Sequence, residues 1–179
     1  MLNPSSLVVR EAIETDAGAF IQLRDAIDAE TSFLLREPGE DIVEISEMGR
    51  RIQSIARCGN HTLLVADLRG KLVGYLHATG GRLRRTHGTA SFSMGVPQSV
   101  ARMGIGTQLV QHLEQWAAGA GVHRLEFVVS PQNIASIALF LKFGYAVEGV
   151  KRAAVVVDGV PSDRICMAKI LFDPGATRR

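Results

Sequence analysis

Cysteine is scarce in this 179-residue chain. Cys58 and Cys166 have no CxxC spacing and are too few for a disulfide framework, so the pattern supports no metal centre and fits a reducing compartment. Long apolar runs are also missing, since nothing approaches the roughly 18 residues that a membrane helix needs. Residues 1–6 carry neither a charged nor an apolar leader region, so the expectation is a cytoplasmic protein with no membrane partner. Charge of one sign is lacking too. A net charge of +2 gives no reason to expect a nucleic-acid partner, and the cluster Arg82, Arg84, Arg85 reads as a solvated turn.

What is present reads as a soluble globular chain, with 46% hydrophobic and 21% charged residues. A β run over residues 7–10 precedes a helix that Thr15 or Asp16 is placed to cap, with Phe20, Leu23 and Ile27 at helical spacing. Beyond Pro38 and Gly39, a second helix starts at Asp41 or Ser46, and Ile45, Met48, Ile52 and Ile55 line one face of it. Residues 62–67 and 71–79 read as strands joined at Arg69-Gly70, and residues 89–96 as a third strand ended by Pro97. Ile105, Leu109, Leu113, Trp116, Ala117 and Ala120 form the stripe of a long helix closed by Gly119 and Gly121. Residues 125–129 are a nearly continuous apolar strand, expected to be buried on both faces. Asn133 opens a short helix with Ile134, Ile137, Ala138 and Leu141 inward. Residues 145–157 and 164–171 read as two strands around Asp158-Gly159. This order predicts one α/β domain over residues 1–172 with a mixed sheet, followed by a loose tail over 173–179. Pairing of two copies into a homodimer through the final strands is compatible with it.

The stretch VARMGIGTQLVQHLEQWA, residues 100–117, places Gly104 and Gly106 at the mouth of the long helix. A helix N-terminus offers free N–H groups and partial positive charge, and glycines clear side chains from it. Together they make a phosphate seat at the carboxyl end of a strand. A dinucleotide fingerprint is disfavoured because Leu109 occupies the third small position, and no Gly-Lys-Ser/Thr follows for a Walker loop.

Several ordered motifs resemble the GNAT superfamily of N-acetyltransferases. MGVPQSVARMGIGTQLVQHLEQWA looks like its strand, pyrophosphate loop and helix, RLEFVV like its next strand, and NIASIALFLKFGYAVEG like the motif after that. FLLREPGE, residues 33–40, is similar to a segment of bacterial members near the ribosomal-protein-alanine acetyltransferase group. The resemblance implies a mostly antiparallel mixed sheet with a splayed parallel strand pair and about four helices. It implies acetyl-CoA as cosubstrate, with its pyrophosphate on the amides of Arg102, Met103, Gly104, Ile105, Gly106 and Thr107. Met94 and Val96 would bond the pantetheine arm, and Asn133 would contact it from the far side. Ala101 stands where the family usually has Gln or Arg. The family's Leu-Tyr pair matches Leu139-Phe140, so Phe140 has no proton for the leaving thiolate.

The activity so implied is transfer of an acetyl group to a primary amine (a small amine, an amino acid or a protein N-terminus) by direct attack. His87, just before the strand expected to border the thioester, is the first candidate base; Glu40 and Glu37, in the Pro-Gly loop, are the others. Ser136, one turn before Phe140, is placed to relay a proton. Two alternatives stand beside the enzyme. One is a catalytically weakened acyl-CoA-binding module, which Phe140 favours; the other is an RNA-contacting protein using the arginine cluster, which the near-neutral charge disfavours.

Overall fold

The hairpin turns set the frame. Arg69-Gly70 and Asp158-Gly159 both take positive φ, 56° and 83°, then 50° and 77°, the paired left-handed residues of a tight two-residue turn. A computed structural model describes residues 7–172, so the tail expected at 173–179 lies outside the described residues. Seven strands and four helices follow the expected order: β1 (Leu7–Glu11), α1 (Ala17–Glu30), α2 (Ile45–Arg57), β2 (His61–Leu68), β3 (Lys71–Gly80), β4 (Thr89–Gly95), α3 (Ile105–Gly119), β5 (Arg124–Val129), α4 (Ile134–Lys142), β6 (Ala146–Val157) and β7 (Val160–Ile170). They form one sheet in the order β1-β2-β3-β4-β5-β7-β6. Neighbours are antiparallel except β4 and β5.

Two apolar layers hold the helices. On one face, α1 and α2 bury Phe20, Leu23, Ile27, Met48 and Ile52 against Leu63, Val65 and Tyr75. On the other, α3 buries Ile105, Leu109, Val110, Leu113 and Ala117 against Leu76, Ala78, Ala90 and Leu125. Gly74 permits this second contact: a Cβ there would lie 2.9 Å from Ile105 and 3.3 Å from Leu109. Among the described residues, no helix is long and apolar enough to cross a membrane.

The β4–β5 ladder is short. It pairs Thr89, Ala90 and Ser91 with Arg124, Leu125 and Glu126. β4 then continues to Gly95 beside β3, and β5 continues to Val129 beside β7. Beyond Ser91 and Glu126 the two strands separate. Phe140 of α4 spans the divergence, with its ring 5.3 Å from Phe92 of β4 and 4.2 Å from Phe127 of β5.

Three local expectations are corrected. Asp16 precedes α1 but does not cap it: its carboxylate accepts from Arg10 at 2.6 and 2.9 Å and from the Ile13 N–H at 2.8 Å. In α4, Phe140 is the buried residue at 1% exposure, while Ile134 (68%) and Leu141 (52%) face outward and Ala138 is exposed. The aromatic cluster with Phe92, Phe127 and Tyr145 sets that phase rather than the aliphatic stripe. β5 buries only Leu125, Phe127 and Val129; on its other face Val128 lines a cavity, and Arg124 and Glu126 form an ion pair at 2.8 Å.

The Arg10–Asp16 contact makes a stability prediction. The hydrogen bond from Arg10 lowers the Asp16 pKa below its ordinary 3.8. Asp16 therefore stabilises the fold above that value and loses the contribution as pH falls through its lowered one. Asp16→Asn is expected to cost about 1–2 kcal/mol at pH 7. In urea melts the gap from wild type should hold down to about pH 5 and close below about pH 4.

Candidate active site

The α3 mouth is built by backbone conformation. Gly104 is the N-cap of α3 at φ 81°, and Arg102 is also left-handed at φ 63°. A non-glycine residue in that region costs about 1–2 kcal/mol, so the loop holds a conformation that its own side chains do not favour. The two glycines have different causes. A Cβ on Gly104 would meet nothing within 4 Å, so that position needs the dihedral and leaves open space above the helix end. A Cβ on Gly106 would lie 3.2 Å from Leu139 and 3.6 Å from Met94, so that position needs the close approach of α3 to α4 and β4. Ile105 is buried and turns only its backbone toward the mouth; Arg102 and Met103 are exposed, and Thr107 is half-buried. The first-turn N–H groups have no intrahelical acceptor, which is what an anion seat requires.

Below the mouth, a cavity of about 440 Å³ occupies the divergence of β4 and β5. Met94, Asn133, Ser136 and Phe140 line it from the α3 and α4 side. Asn133 is the N-cap of α4, its side-chain oxygen accepting from the Ser136 N–H at 3.1 Å. The Asn133 amide group is left to donate. From the α1 and α2 side the lining includes Phe20, Tyr75, His77, Ser93 and Val128. The structure thus brings Met94, Asn133, Ser136 and Phe140 to one cavity, with Val96 half-buried just past the end of β4.

His87 is not brought to this cavity. It is exposed before Thr89, at the amino end of β4, and the cavity opens at the carboxyl end. Six strand steps separate those ends, about 20 Å at roughly 3.3 Å per residue. The His87 carbonyl instead accepts from Asn60 at 3.2 Å. Glu40 is exposed and its carboxylate closes a local turn, accepting from the Glu37 N–H at 3.0 Å; neither glutamate lines the cavity.

The group that sequence reasoning passed over is His77. It pairs in register with Ser93, where β4 leaves β5, and it lines the cavity. Its Nε2 is buried without a hydrogen-bond partner. Burial first, and His61 second, hold its pKa below 6.5, so the imidazole is neutral at pH 7. Tyr145 offers no replacement for the missing tyrosine at 140: its hydroxyl is buried and unpartnered, with a pKa raised by burial, and it does not line the cavity.

Charges crowd the α1 side. Arg24 donates to the Asp41 carboxylate at 2.6 Å and to its carbonyl at 2.9 Å. Arg36 donates from Nε to Asp28 at 2.7 Å and also from its terminal nitrogen. These bonds fasten the segment between α1 and α2 across the cavity. Asp28 keeps one oxygen buried and unpartnered.

Comparison with known proteins gives the same reading. The profile of the Acetyltransferase (GNAT) family matches residues 24–145. An L-methionine sulfoximine/L-methionine sulfone acetyltransferase of Pseudomonas aeruginosa is 26% identical over 146 residues, 80% of this chain and 83% of that protein. Acetyl transferase GW6a of rice (Oryza sativa subsp. japonica) is 29% identical over 57% of this chain, a match that spans only 28% of the rice protein's length. Among solved structures, a ribosomal-protein-alanine N-acetyltransferase from Brucella melitensis superposes with a TM-score of 0.81 at 25% identity, covering 91% of this chain and 99% of that one. A phosphinothricin acetyltransferase from Sinorhizobium meliloti in complex with acetyl-CoA has a TM-score of 0.81 at 22% identity, covering 96% and 91%. The short parallel ladder, the glycine-lined helix mouth and a family match over most of the chain agree: this protein belongs to the acetyltransferase (GNAT) family.

Proposed function

We propose that the chain, as one domain over residues 1–172, transfers the acetyl group of acetyl-CoA to a primary amine by direct attack. The observation that carries this reading is the cavity in the β4–β5 divergence, with charged residues on its α1 side and Met94 between it and the glycine-lined mouth of α3. The open backbone at Gly104 and the free first-turn N–H groups fit a diphosphate held by residues 102–107. Met94 and Val96 offer main-chain groups to the pantetheine arm, and Asn133 offers its amide from across the cavity. Bound there, acetyl-CoA supplies an acetyl carbon activated as a thioester.

An alkyl ammonium near pKa 10.4 has no lone pair to attack with, so a proton must leave first. Neutral His77 takes that proton at Nε2. The amine nitrogen then forms its bond to the acetyl carbon while a main-chain N–H of Met94 or Val96 stabilises the oxygen as charge builds. As the C–S bond breaks, the nitrogen releases its second proton, which balances the departing sulfur. Ser136, on the cavity wall, is the nearest hydroxyl in sequence to Phe140 for that relay. Phe140 itself gives nothing, but a thiol near pKa 8.5 leaves as thiolate at a cost of about 2 kcal/mol at pH 7. The loss of the tyrosine slows the enzyme roughly tens-fold and does not abolish it. The binding-module reading differs in one result: acetyl-CoA would bind and no amine would stimulate thiol release.

Thiol release from acetyl-CoA over a panel of amines should show transfer, with a wild-type kcat/KM that falls at unit slope only below pH 6.5, where the imidazole charges. His77→Gln should lose about 10²-fold at pH 7 and climb steadily with pH, since solvent must then deprotonate the amine, whereas His87→Ala should stay within about twofold. Gly106→Val pushes against Leu139 and Met94. Calorimetry should find its acetyl-CoA affinity reduced at least about tenfold, a loss of about 1.4 kcal/mol, with the far-ultraviolet dichroism unchanged.

A further inference from the structure

Arg164 stands apart from the other charged residues of the chamber. Arg24 is spent on Asp41, Arg36 on Asp28 and Arg51 on Asp41 and Glu47. The Arg164 side chain has no hydrogen bond or ion pair among the described residues, although the residue is only 3% exposed. It lies on β7 two residues before Cys166, which pairs with Val128, so it shares the sheet face that α1 and α2 cover. It lines the main cavity and also a second one of about 410 Å³, between residues 28–38 and the β6–β7 hairpin tip. Four arginines (24, 36, 51, 164) and two aspartates (28, 41) line the main cavity, an excess of two positive charges.

A buried, unpaired cation is among the costliest groups a fold can hold. Its planar fork of donors matches a carboxylate oxygen for oxygen. We propose that Arg164 binds the carboxylate of the acceptor, so that the enzyme acetylates free amino acids, or amines bearing an equivalent carboxylate, rather than simple amines or protein N-termini. The idea rests on the acetyltransfer reading and narrows its substrate class. The position supports it: Arg164 stands where the two cavities meet, so an amino acid gripped there directs its amine toward the β4–β5 divergence and its side chain toward the second cavity. The unpartnered oxygen of Asp28 offers the opposite charge to the ammonium group in the same chamber. A polypeptide N-terminus has no free carboxylate beside its amine, and a chamber of this volume suits a small acceptor.

The test pairs each amino acid with its decarboxylated amine: L-methionine with 3-(methylthio)propylamine, L-leucine with 3-methylbutylamine, and L-phenylalanine with phenethylamine. Thiol release should favour at least one amino acid over its amine by about 10²-fold in kcat/KM, and Arg164→Met should bring that ratio near one, chiefly through KM. Arg164→Lys should keep a ratio above about ten, because the charge survives without the fork. Arg164→Met should melt at or above the wild-type temperature, since it removes an uncompensated charge. Calorimetric titration of the same six compounds without acetyl-CoA separates this idea from acetyl transfer itself. Amino-acid binding that Arg164→Met abolishes supports the site even if no transfer is seen. The proposal is overturned if no amino acid outperforms its amine in either assay, or if Arg164→Met keeps the preference.

Discussion

The constraint on which the molecule turns is the parting of two parallel strands. A β-ladder satisfies main-chain donors and acceptors as it runs, and stopping it early leaves those groups to find other partners. Here the ladder stops after Ser91 and Glu126, and both strands run on. β3 and β7 keep the outer edges of β4 and β5 bonded, so the vacancy lies only on the inner edges, facing one another. That is a slot lined with peptide groups inside an otherwise packed sheet. An extended ligand with amides of its own is the kind of molecule such a slot can take.

Phe140 matters to this geometry more than its lack of a hydroxyl suggests. It lies against Phe92 and Phe127, one on each diverging strand, and against Tyr145 at 5.0 Å. The cluster holds α4 on the slot, and through Leu139 it holds α4 against the mouth of α3. A residue whose absent hydroxyl points to weaker proton transfer is here a packing element that sets the width of the cavity. On the opposite face the work is electrostatic. The bonds from Arg24 to Asp41 and from Arg36 to Asp28 pin the segment between the first two helices, and they leave the remaining positive charge turned inward. The same burial that makes Arg164 costly keeps His77 uncharged.

Much of the frame was legible in the residues. The turns Arg69-Gly70 and Asp158-Gly159 announced their hairpins because few residue pairs tolerate two consecutive positive φ angles. The α3 stripe and its glycines announced a helix and an open mouth, although packing against Leu139, and not only ligand access, explains Gly106. The unread parts depend on distant neighbours. His77 looks like an ordinary strand residue until register sets it beside Ser93 at the parting of the strands, whereas His87 looks well placed until strand direction puts it at the wrong end. Arg164 is one of many arginines in the chain, and only its burial, with the pairing of the other three arginines of the cavity, sets it apart. The phase of α4 departs from the aliphatic spacing because that spacing competes with an aromatic cluster assembled from β4, β5 and Tyr145 just before β6.

The most direct measurement is a crystal structure of the protein grown with acetyl-CoA. The account predicts the diphosphate on the amides of residues 102–107 and the pantetheine arm between Met94–Val96 and 127–129, with the acetyl carbon facing His77. A nucleotide seated elsewhere, or strands β4 and β5 found zipped together with the arm outside them, would contradict it.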